Sequence, residues 1–460
     1  MPESVPGIAS SRPLIPSAAR RKAALAVYQV LATLAWPLVW LRLLWRSRRE
    51  PAYRKRVRER LGIIPAAIPR DALWIHAVSA GEVIALAPLL DPLAKTHADQ
   101  AILVTTTTPS GSAQVQRLFA HLPNVAHCYA PYDSPGAVRR FLTRVRPKLL
   151  ALVETELWPT QIQQASAAEI PIVLLNGRLS ERSAGRYLRL PSLTFDLFAK
   201  LNAVACQAEA HRSRFLSCGV SEERIFVSGS IKFDAQIPQN LAEVTERFAH
   251  FFNSVPKVWM AASTHAGEEA HILAAHSRLQ TQFSGLCLIL APRHPHRCNA
   301  IVKQITEHGF SVRRSSEIAP DTKPADVFLV DELGLLLPLF PSAAATFLGG
   351  SLVPHGGHNP IEPALMQTPF ISGPHIHNFA DIFAEFPADC VLDESTDPAD
   401  YGAALAAVIA VHINDALYRK RRGQALLAVV QHNRGANDRQ KLLLEEAAAL
   451  TSTAFLTTKA

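Results

Sequence analysis

The chain has 460 residues, of which 48% are hydrophobic and 19% charged, and a formal net charge of +8. That length exceeds one ordinary core and suits two domains of roughly 200 residues each, and the composition excludes a disordered or fibrous chain. The positive charge is local: residues 1–60 hold 13 Lys/Arg against 3 Asp/Glu, whereas the other 400 hold 34 against 36. A basic body for binding nucleic acid is excluded, and the basic N-terminus suits anionic lipid headgroups instead.

In chain order, a basic tail (1–22) comes first. It is followed by AALAVYQVLATLAWPLVWL (23–41), 19 residues without a charge, just enough to cross a hydrocarbon core of about 30 Å. Trp36, Trp40 and Trp45 fit an interfacial aromatic belt, while Pro37 would kink a helix. A membrane-anchoring helix over 23–45 is expected, with spanning and shallow in-plane forms both open. Nine basic residues follow between Arg42 and Arg60 and four precede the run, so the positive-inside rule places the large C-terminal part in the cytoplasm. No A-x-A cleavage site follows the run.

Downstream, apolar runs alternate with amphipathic stretches: LWIHAV, AILVTTT, KLLALVE, PIVLLN, AVACQ and IFVSG before residue 232, then KVWMAAS, GLCLILAP, DVFLV and AAATFLGG. This alternation predicts parallel sheets covered by helices on both faces. Two doubly wound Rossmann-like domains facing a cleft follow from it, the α/β architecture of GT-B glycosyltransferases. The domains are expected at 46–234 and 256–430, with 235–255 as the connection and 431–460 as a C-terminal helix and tail. Cys128, Cys206, Cys218, Cys287, Cys298 and Cys390 lack any CxxC spacing and read as reduced, buried thiols.

In open α/β sheets ligands bind beyond the carboxyl ends of the strands, so the residues there are the candidate site. Glu82, in Ser79-Ala80-Gly81-Glu82, is either a helix N-terminal charge partner or a base aimed into the cleft. Glu154 and Glu156 follow a buried strand beside Trp158, where desolvation would shift a carboxyl pKa. Lys232 closes the first domain and is placed to reach an anionic donor. Arg293, after LCLIL, offers a fork of donors suited to phosphate. In the run FLGGSLVPHGGHNPIEP a strand ends in Gly349-Gly350, a flexible loop carries Gly356-Gly357, and Asn359 as N-cap with Pro360 at the first helical position opens a helix whose N-terminus suits phosphate, the alternative being a Gly-rich turn that only caps the helix. Glu362 there suits ribose hydroxyls. His294 with His296, and His355 with His358, lack further ligands at metal-site spacing.

These motifs resemble one family, the 3-deoxy-D-manno-octulosonic acid (Kdo) transferases of lipopolysaccharide biosynthesis. The likeness rests on PAYRKR (51–56), HAVSAGE (76–82), TTTTPSGS (105–112), ETELWP (154–159), GRLSERSA (177–184), GSIKFD (229–234), STHAGEE (263–269), APRHPHR (291–297), GGSLVPHGGHNPIEPA (349–364) and GPHIHNF (373–379). It covers about residue 25 to about residue 440. The resemblance implies an inverting transfer of Kdo from CMP-Kdo to a lipid A precursor (lipid IVA) at the cytoplasmic face of a bacterial inner membrane, with no metal or cofactor and no nucleic acid. It implies Glu82 as general base and Glu154 and Lys232 as transition-state stabilisers. Contacts to CMP then fall to Pro292, Arg293, Leu333, Gly334, Leu335, Asn359, Pro360, Ile361 and Glu362. Where relatives read D-x-x-G-E, this chain has Asp331-Glu332-Leu333-Gly334-Leu335, which leaves backbone contacts to cytidine and removes the side-chain one. Rival readings are a UDP-sugar transferase of the same fold and a tethered α/β binding protein; SAGE in place of GxGxxG argues against a nicotinamide enzyme.

Overall fold

The computed structural model describes residues 16–235, 237, 241–319 and 322–449. The chain forms two compact units, Met1–Asp234 with Arg434–Ala460, and Ala235–Asn433.

In the first unit, β1 (Leu73–His76), β2 (Ile102–Thr106), β3 (Val125–Tyr129), β4 (Leu149–Val153), β5 (Ile172–Gly177), β6 (Ala203–Cys206) and β7 (Ile225–Val227) form one parallel sheet. Their order is β3-β2-β1-β4-β5-β6-β7. Both faces are covered. Trp74, Leu103, Leu150 and Leu152 belong to one buried cluster, while their neighbours Leu73, Ile75, Ile102, Val104, Leu149 and Ala151 belong to another. Burial on both sides is why these strands read as continuous apolar runs rather than alternating ones.

The second unit repeats the plan with β8 (Lys257–Thr264), β9 (Leu286–Pro292), β10 (Val312–Arg314), β11 (Val327–Leu329), β12 (Thr346–Leu348) and β13 (Phe370–Ser372). These six parallel strands are ordered β10-β11-β9-β8-β12-β13. The segment expected to be a plain connection holds the helix Leu241–Asn253. Its Phe248, Phe251 and Phe252 are buried, with rings 5.5, 5.2 and 5.0 Å from that of Phe328 on β11, so most of it is an integral layer of this unit. The chain returns to the first unit through the helix Ala436–Ala447, whose Leu443 and Leu444 join the first unit's core. The Asp234 carboxylate fixes the point of return by accepting from Gly435 N at 2.7 Å and Asn437 N at 2.6 Å. All six cysteines are buried and free.

The N-terminal segment differs from the single helix expected over 23–45. It is a pair, α1 (Ala18–Leu34) and α2 (Trp36–Arg49), bent by 46° at Ala35. Pro37 lies in the first turn of α2, where its missing N–H has no intrahelical partner to lose, so it starts a new helix instead of kinking an old one. No single helix among the described residues is long and apolar enough to cross a membrane. One face of the pair packs on the first unit: the Tyr28 hydroxyl donates to Asp133 at 2.8 Å, Arg21 pairs with Asp196 at 3.2 Å, and the Trp36 ring stands edge-on to Tyr132 at 5.6 Å. The other face exposes Leu31, Leu34, Leu38, Leu41 and Trp45.

Gly423 shows how tightly the second unit is closed. It sits inside the helix Ala416–His432, and a Cβ there would lie 2.1 Å from the backbone carbonyl oxygen of Gln367. Replacing a mid-helix glycine by alanine ordinarily stabilises by about 1 kcal/mol. Here the clash reverses the sign: Gly423→Ala is expected to destabilise by about 1–3 kcal/mol, read as a lowered Tm by circular dichroism. An unchanged or raised Tm would show that the two backbones separate freely.

Candidate active site

In the first unit β1 lies between β2 and β4, so the connections leave it in opposite directions and open a crevice at its carboxyl end. The chain turns there into the helix Ala80–Thr96. Ser79 is its N-cap and accepts from Glu82 N at 3.4 Å, while the Glu82 carboxylate accepts from Val78 N at 2.6 Å and from the Ser79 hydroxyl at 2.9 Å. This reciprocal arrangement is a capping box. Of the two sequence-based readings of Glu82, the structure shows the helix N-terminal one, with the carboxylate at the carboxyl end of β1. Burial first, and then the negative charge of Glu154, push its pKa up to about 7 against the hydrogen bonds that favour the anion. A Cβ added to Gly81 would meet only the Ser79 hydroxyl, at 3.8 Å, so close packing does not require glycine there.

Glu154, on the neighbouring strand end, adopts a left-handed φ of 59°, a conformation that costs a non-glycine residue about 1–3 kcal/mol and accumulates at functional sites. Its carboxylate pairs with Lys232 at 3.3 Å. Glu156 is pushed up in pKa by burial and by Glu154. Glu82, Glu154, Glu156 and Lys232 thus share one electrostatic neighbourhood, three acids to one base. Sequence reasoning missed what positions Lys232. Asn176, fully buried with a left-handed φ of 51° at the end of β5, accepts from Ile231 N at 3.2 Å through its side chain, and its own N–H donates to Gln440 at 2.9 Å. An asparagine closing an apolar run (PIVLLN) was the available signal.

In the second unit the reversal falls beside β8, between β9 and β12. Glu268 is fully buried, and its carboxylate accepts from the N–H groups of His265 (2.8 Å), Gly350 (2.7 Å), Ser351 (3.0 Å) and Leu352 (2.9 Å). The anion held by the first glycine pair is therefore the protein's own. A Cβ on Gly349 would lie 2.6 Å from the Ser263 carbonyl oxygen, so glycine is what lets the two strand ends meet. The second pair is not flexible either: a Cβ on Gly356 would lie 2.3 Å from the Asn378 amide, whose backbone N–H donates to the Gly356 carbonyl at 3.0 Å. GPHIHNF is the brace for this loop, with Asn378 also donating to the His355 carbonyl at 2.7 Å.

The remaining residues named for CMP line the strand ends of this unit. Pro292 ends β9 and Arg293 follows it, exposed, with its N–H donating to the Thr264 carbonyl at 3.0 Å. No carboxylate pairs with the Arg293 guanidinium among the described residues. Arg297, by contrast, is committed to buried Glu269 at 2.8 and 3.0 Å. Leu333 is 78% exposed and Gly334 has a φ of +85°, while the Leu335 side chain is buried, leaving that turn only its backbone to offer. Asn359 Oδ1 accepts from Ile361 N at 3.1 Å, as a cap does, but the helix is only Ile361–Leu365, so its dipole is slight and its free N–H groups matter more. The Asn359 amide also donates to Glu362 at 3.4 Å, and burial pushes the Glu362 pKa up.

His265, His294, His355 and His358 form a ring cluster that the sequence did not reveal. The His265 ring is 4.3 Å from His355, 5.2 Å from His358 and 5.9 Å from His294, and Nε2 of His265 is 3.0 Å from Nε2 of His358. Burial and neighbouring positive charge lower His265 and His358 to about 4, so near neutrality both are uncharged and one donates to the other. No group of three or more metal-ligating side chains converges among the described residues.

Glu268→Gln tests the role of the buried anion. An amide would turn one acceptor into a donor facing N–H groups, at a cost of about 3 kcal/mol or more. The expected result is a fall in the urea midpoint of that size; a loss below about 1 kcal/mol would mean that the turn is held by other contacts.

Comparison with known proteins agrees with the geometry. Residues 55–235 match the family model for 3-deoxy-D-manno-octulosonic-acid transferase. The chain is 35% identical over 421 residues to the 3-deoxy-D-manno-octulosonic acid transferase of Haemophilus influenzae, covering 91% of this chain and 97% of that one. It is 33% identical over 360 residues to that of Bordetella pertussis, covering 75% and 82%. In structure it is similar to a glycosyltransferase from Rickettsia africae, with a TM-score of 0.53 and 11% identity over 83% of this chain and 100% of that one, a likeness of GT-B-like α/β fold alone. Sequence identity on this scale, spread over both units, establishes that the chain belongs to the 3-deoxy-D-manno-octulosonic acid transferases and is a glycosyltransferase.

Proposed function

We propose that the chain transfers Kdo from CMP-Kdo to lipid IVA, the lipid A precursor, by a single inverting displacement with Glu82 as general base. The observation that carries this reading is the state of Glu82: a buried carboxylate at the crevice of the first sheet, with its pKa at about 7, the value suited to a base working near neutrality. Glu82 takes the proton of an acceptor hydroxyl as that oxygen attacks the anomeric carbon of Kdo, and CMP leaves from the opposite face. Glu154 and Lys232 stabilise the transition state; their ion pair keeps a positive charge beside the acids.

On the donor side, the Arg293 guanidinium, with no carboxylate ion pair among the described residues, and the helix start at Asn359 offset the charge that grows on the departing phosphate. Pro292, the backbone of Leu333, Gly334 and Leu335, and Asn359, Pro360 and Glu362 receive the nucleotide. The exposed apolar stripe of α1 and α2, flanked by the basic cluster of residues 42–60, supports attachment to the cytoplasmic face of an inner membrane, where a glycolipid acceptor is presented.

A base must be deprotonated to act, so kcat/KM should rise about tenfold per pH unit below about pH 7 and level off above it. Glu82→Gln should lower kcat by about 10² to 10⁴ and leave CMP-Kdo binding unchanged. A flat profile between about pH 6 and about pH 8, or near-normal turnover of the variant, removes Glu82 from this role. Arg293→Ala should weaken donor affinity tenfold or more by calorimetry, the loss of a charge-assisted contact of about 1.5–3 kcal/mol; unchanged affinity counts against the phosphate contact.

A further inference from the structure

Three strand ends of the second unit converge on one group of imidazoles. His265 follows β8, His294 follows Arg293 at the end of β9, and His355 and His358 lie on the turn after β12. The rings are held in place. One oxygen of Glu268 accepts from both His265 N and Gly350 N. A Cβ on Gly350 would lie 3.2 Å from the His358 ring and 3.3 Å from the His265 ring, so both rings rest on the turn that Glu268 fixes. His265 stacks on His355 and on His358, with ring planes 27° and 15° apart.

This group has cations around it and no anion of its own. No carboxylate hydrogen-bonds to any of the four rings among the described residues. Glu268 is surrounded by N–H groups, Glu269 is spent on Arg297 and Thr264, and Glu362 on the Asn359 amide. The charges acting on the His265–His358 pair are the guanidiniums of Arg293 and Arg297; His294 and His355 are its titratable neighbours, and His377 lies beyond Gly356 on the bracing loop. Burial and those cations hold both members at about 4, so the Nε2–Nε2 contact of 3.0 Å is short of one proton near neutrality. A proton added there gives an imidazolium that still donates across the contact and leaves an N–H on Nδ1 of each ring. An anion beside the rings favours that proton.

We propose that the His265–His358 pair is a carboxylate subsite for the sugar of the donor, receiving the acid group that a 2-keto acid sugar carries on its anomeric carbon while Arg293 receives the phosphate on that same carbon. The inference rests on the CMP-Kdo reading given above. Arg293 N donates at 3.0 Å to the carbonyl of Thr264, the residue before His265, so the phosphate ligand and the imidazole pair stand on adjacent strand ends, as two anions borne by one carbon require. An aldose donor, with hydrogen in place of the acid, leaves the pair unprotonated and without a counter-charge. The pair thereby selects a 2-keto acid sugar over the aldoses of other sugar nucleotides.

The test is calorimetric, on the full chain in neutral detergent without acceptor, with CMP-Kdo and CMP as ligands. The unaltered protein should bind CMP-Kdo about tenfold or more tighter than CMP. Neither acid group of CMP-Kdo titrates near pH 7, so protons taken up on binding belong to the protein; buffers of different ionisation enthalpy should reveal uptake of up to about one. His265→Phe keeps a flat ring against His355 and removes the shared-proton contact. His358→Phe does the same from the other side and serves if the first variant fails to fold, which circular dichroism reports. Each variant should lose the advantage of CMP-Kdo over CMP and the proton uptake, with CMP affinity unchanged. Unaltered CMP-Kdo affinity in the variants, uptake that persists in them, or no uptake by the unaltered protein overturns the subsite and leaves the CMP-Kdo reading standing. An equal fall in affinity for both ligands overturns it too, because the rings then only support the nucleotide loop. Failure of the unaltered protein to bind CMP-Kdo more tightly than UDP-N-acetylglucosamine sinks the donor reading itself.

Discussion

In each unit the first strand lies in the middle of its sheet, and the chain winds away from it in both directions. The other features of the candidate site depend on that reversal. Parallel strands end together, and crossover connections that diverge on either side of one strand leave its carboxyl end uncovered. The groups exposed there are those a ligand needs: free N–H groups, helix N-termini and side chains held on rigid elements. In the second unit the opening would also leave the turn after β12 with unsatisfied N–H groups, and Glu268 answers three of them at once while binding His265 N on the β8 side. One carboxylate thereby fixes both margins of the crevice, and the histidine cluster is built on the loops it holds.

Buried acids fall into two kinds, and the difference is informative. Glu268, Glu269, Asp133, Asp331 and Asp234 are each enclosed by donors or by a cation. Such acids are structural, because protonating or removing them strands the groups around them. Glu82 too accepts from Val78 N and the Ser79 hydroxyl, but half-buried Glu82, Glu154 and Glu156 differ in their neighbours. They crowd like charge at one opening with Lys232 as the near cation, and burial with mutual repulsion pushes Glu82 and Glu156 upward. A fold gains no stability from that crowding. Its consequence is chemical: a carboxyl group that exchanges its proton near neutrality.

Legibility in the sequence followed burial. Most strands that read as apolar runs lie inside the sheets, though the edge strand β7, with Val227 exposed, was read from IFVSG as well. β3 and β10 did not, because they are edge strands with half-exposed faces, VAHCY and VRR, and an edge strand carries polar residues where an inner one cannot. Among site residues, those directly after a strand were visible, since position alone marks them. Glu268 was not. It sits in STHAGEE as one of two adjacent acids, and nothing in the chain order shows that its partners are residues 350–352, more than eighty positions away. Asn359 was legible as a cap, but helix length was not: the helix stops at Leu365, just before Gln367 with its left-handed φ of 55°.

The N-terminal segment carries two patterns that an apolar run read only as a length does not separate. Nineteen charge-free residues match a bilayer in extent, but the structure divides them between two surfaces. Val27, Leu31, Leu34, Leu38, Leu41 and Trp45 recur every three or four residues and are exposed, while Tyr28, Ala32, Ala35, Val39, Leu43 and Arg46 recur at the same interval and line a cavity between the helix pair and the first unit's sheet. Periodicity separates the stripes where mean hydropathy merges them. The inner stripe is also the one that carries a hydroxyl and a guanidinium, groups with no reason to sit at regular spacing on a purely lipid-facing helix. The run is apolar throughout because both of its faces need to be, one toward the cavity and the first unit and the other away from the protein.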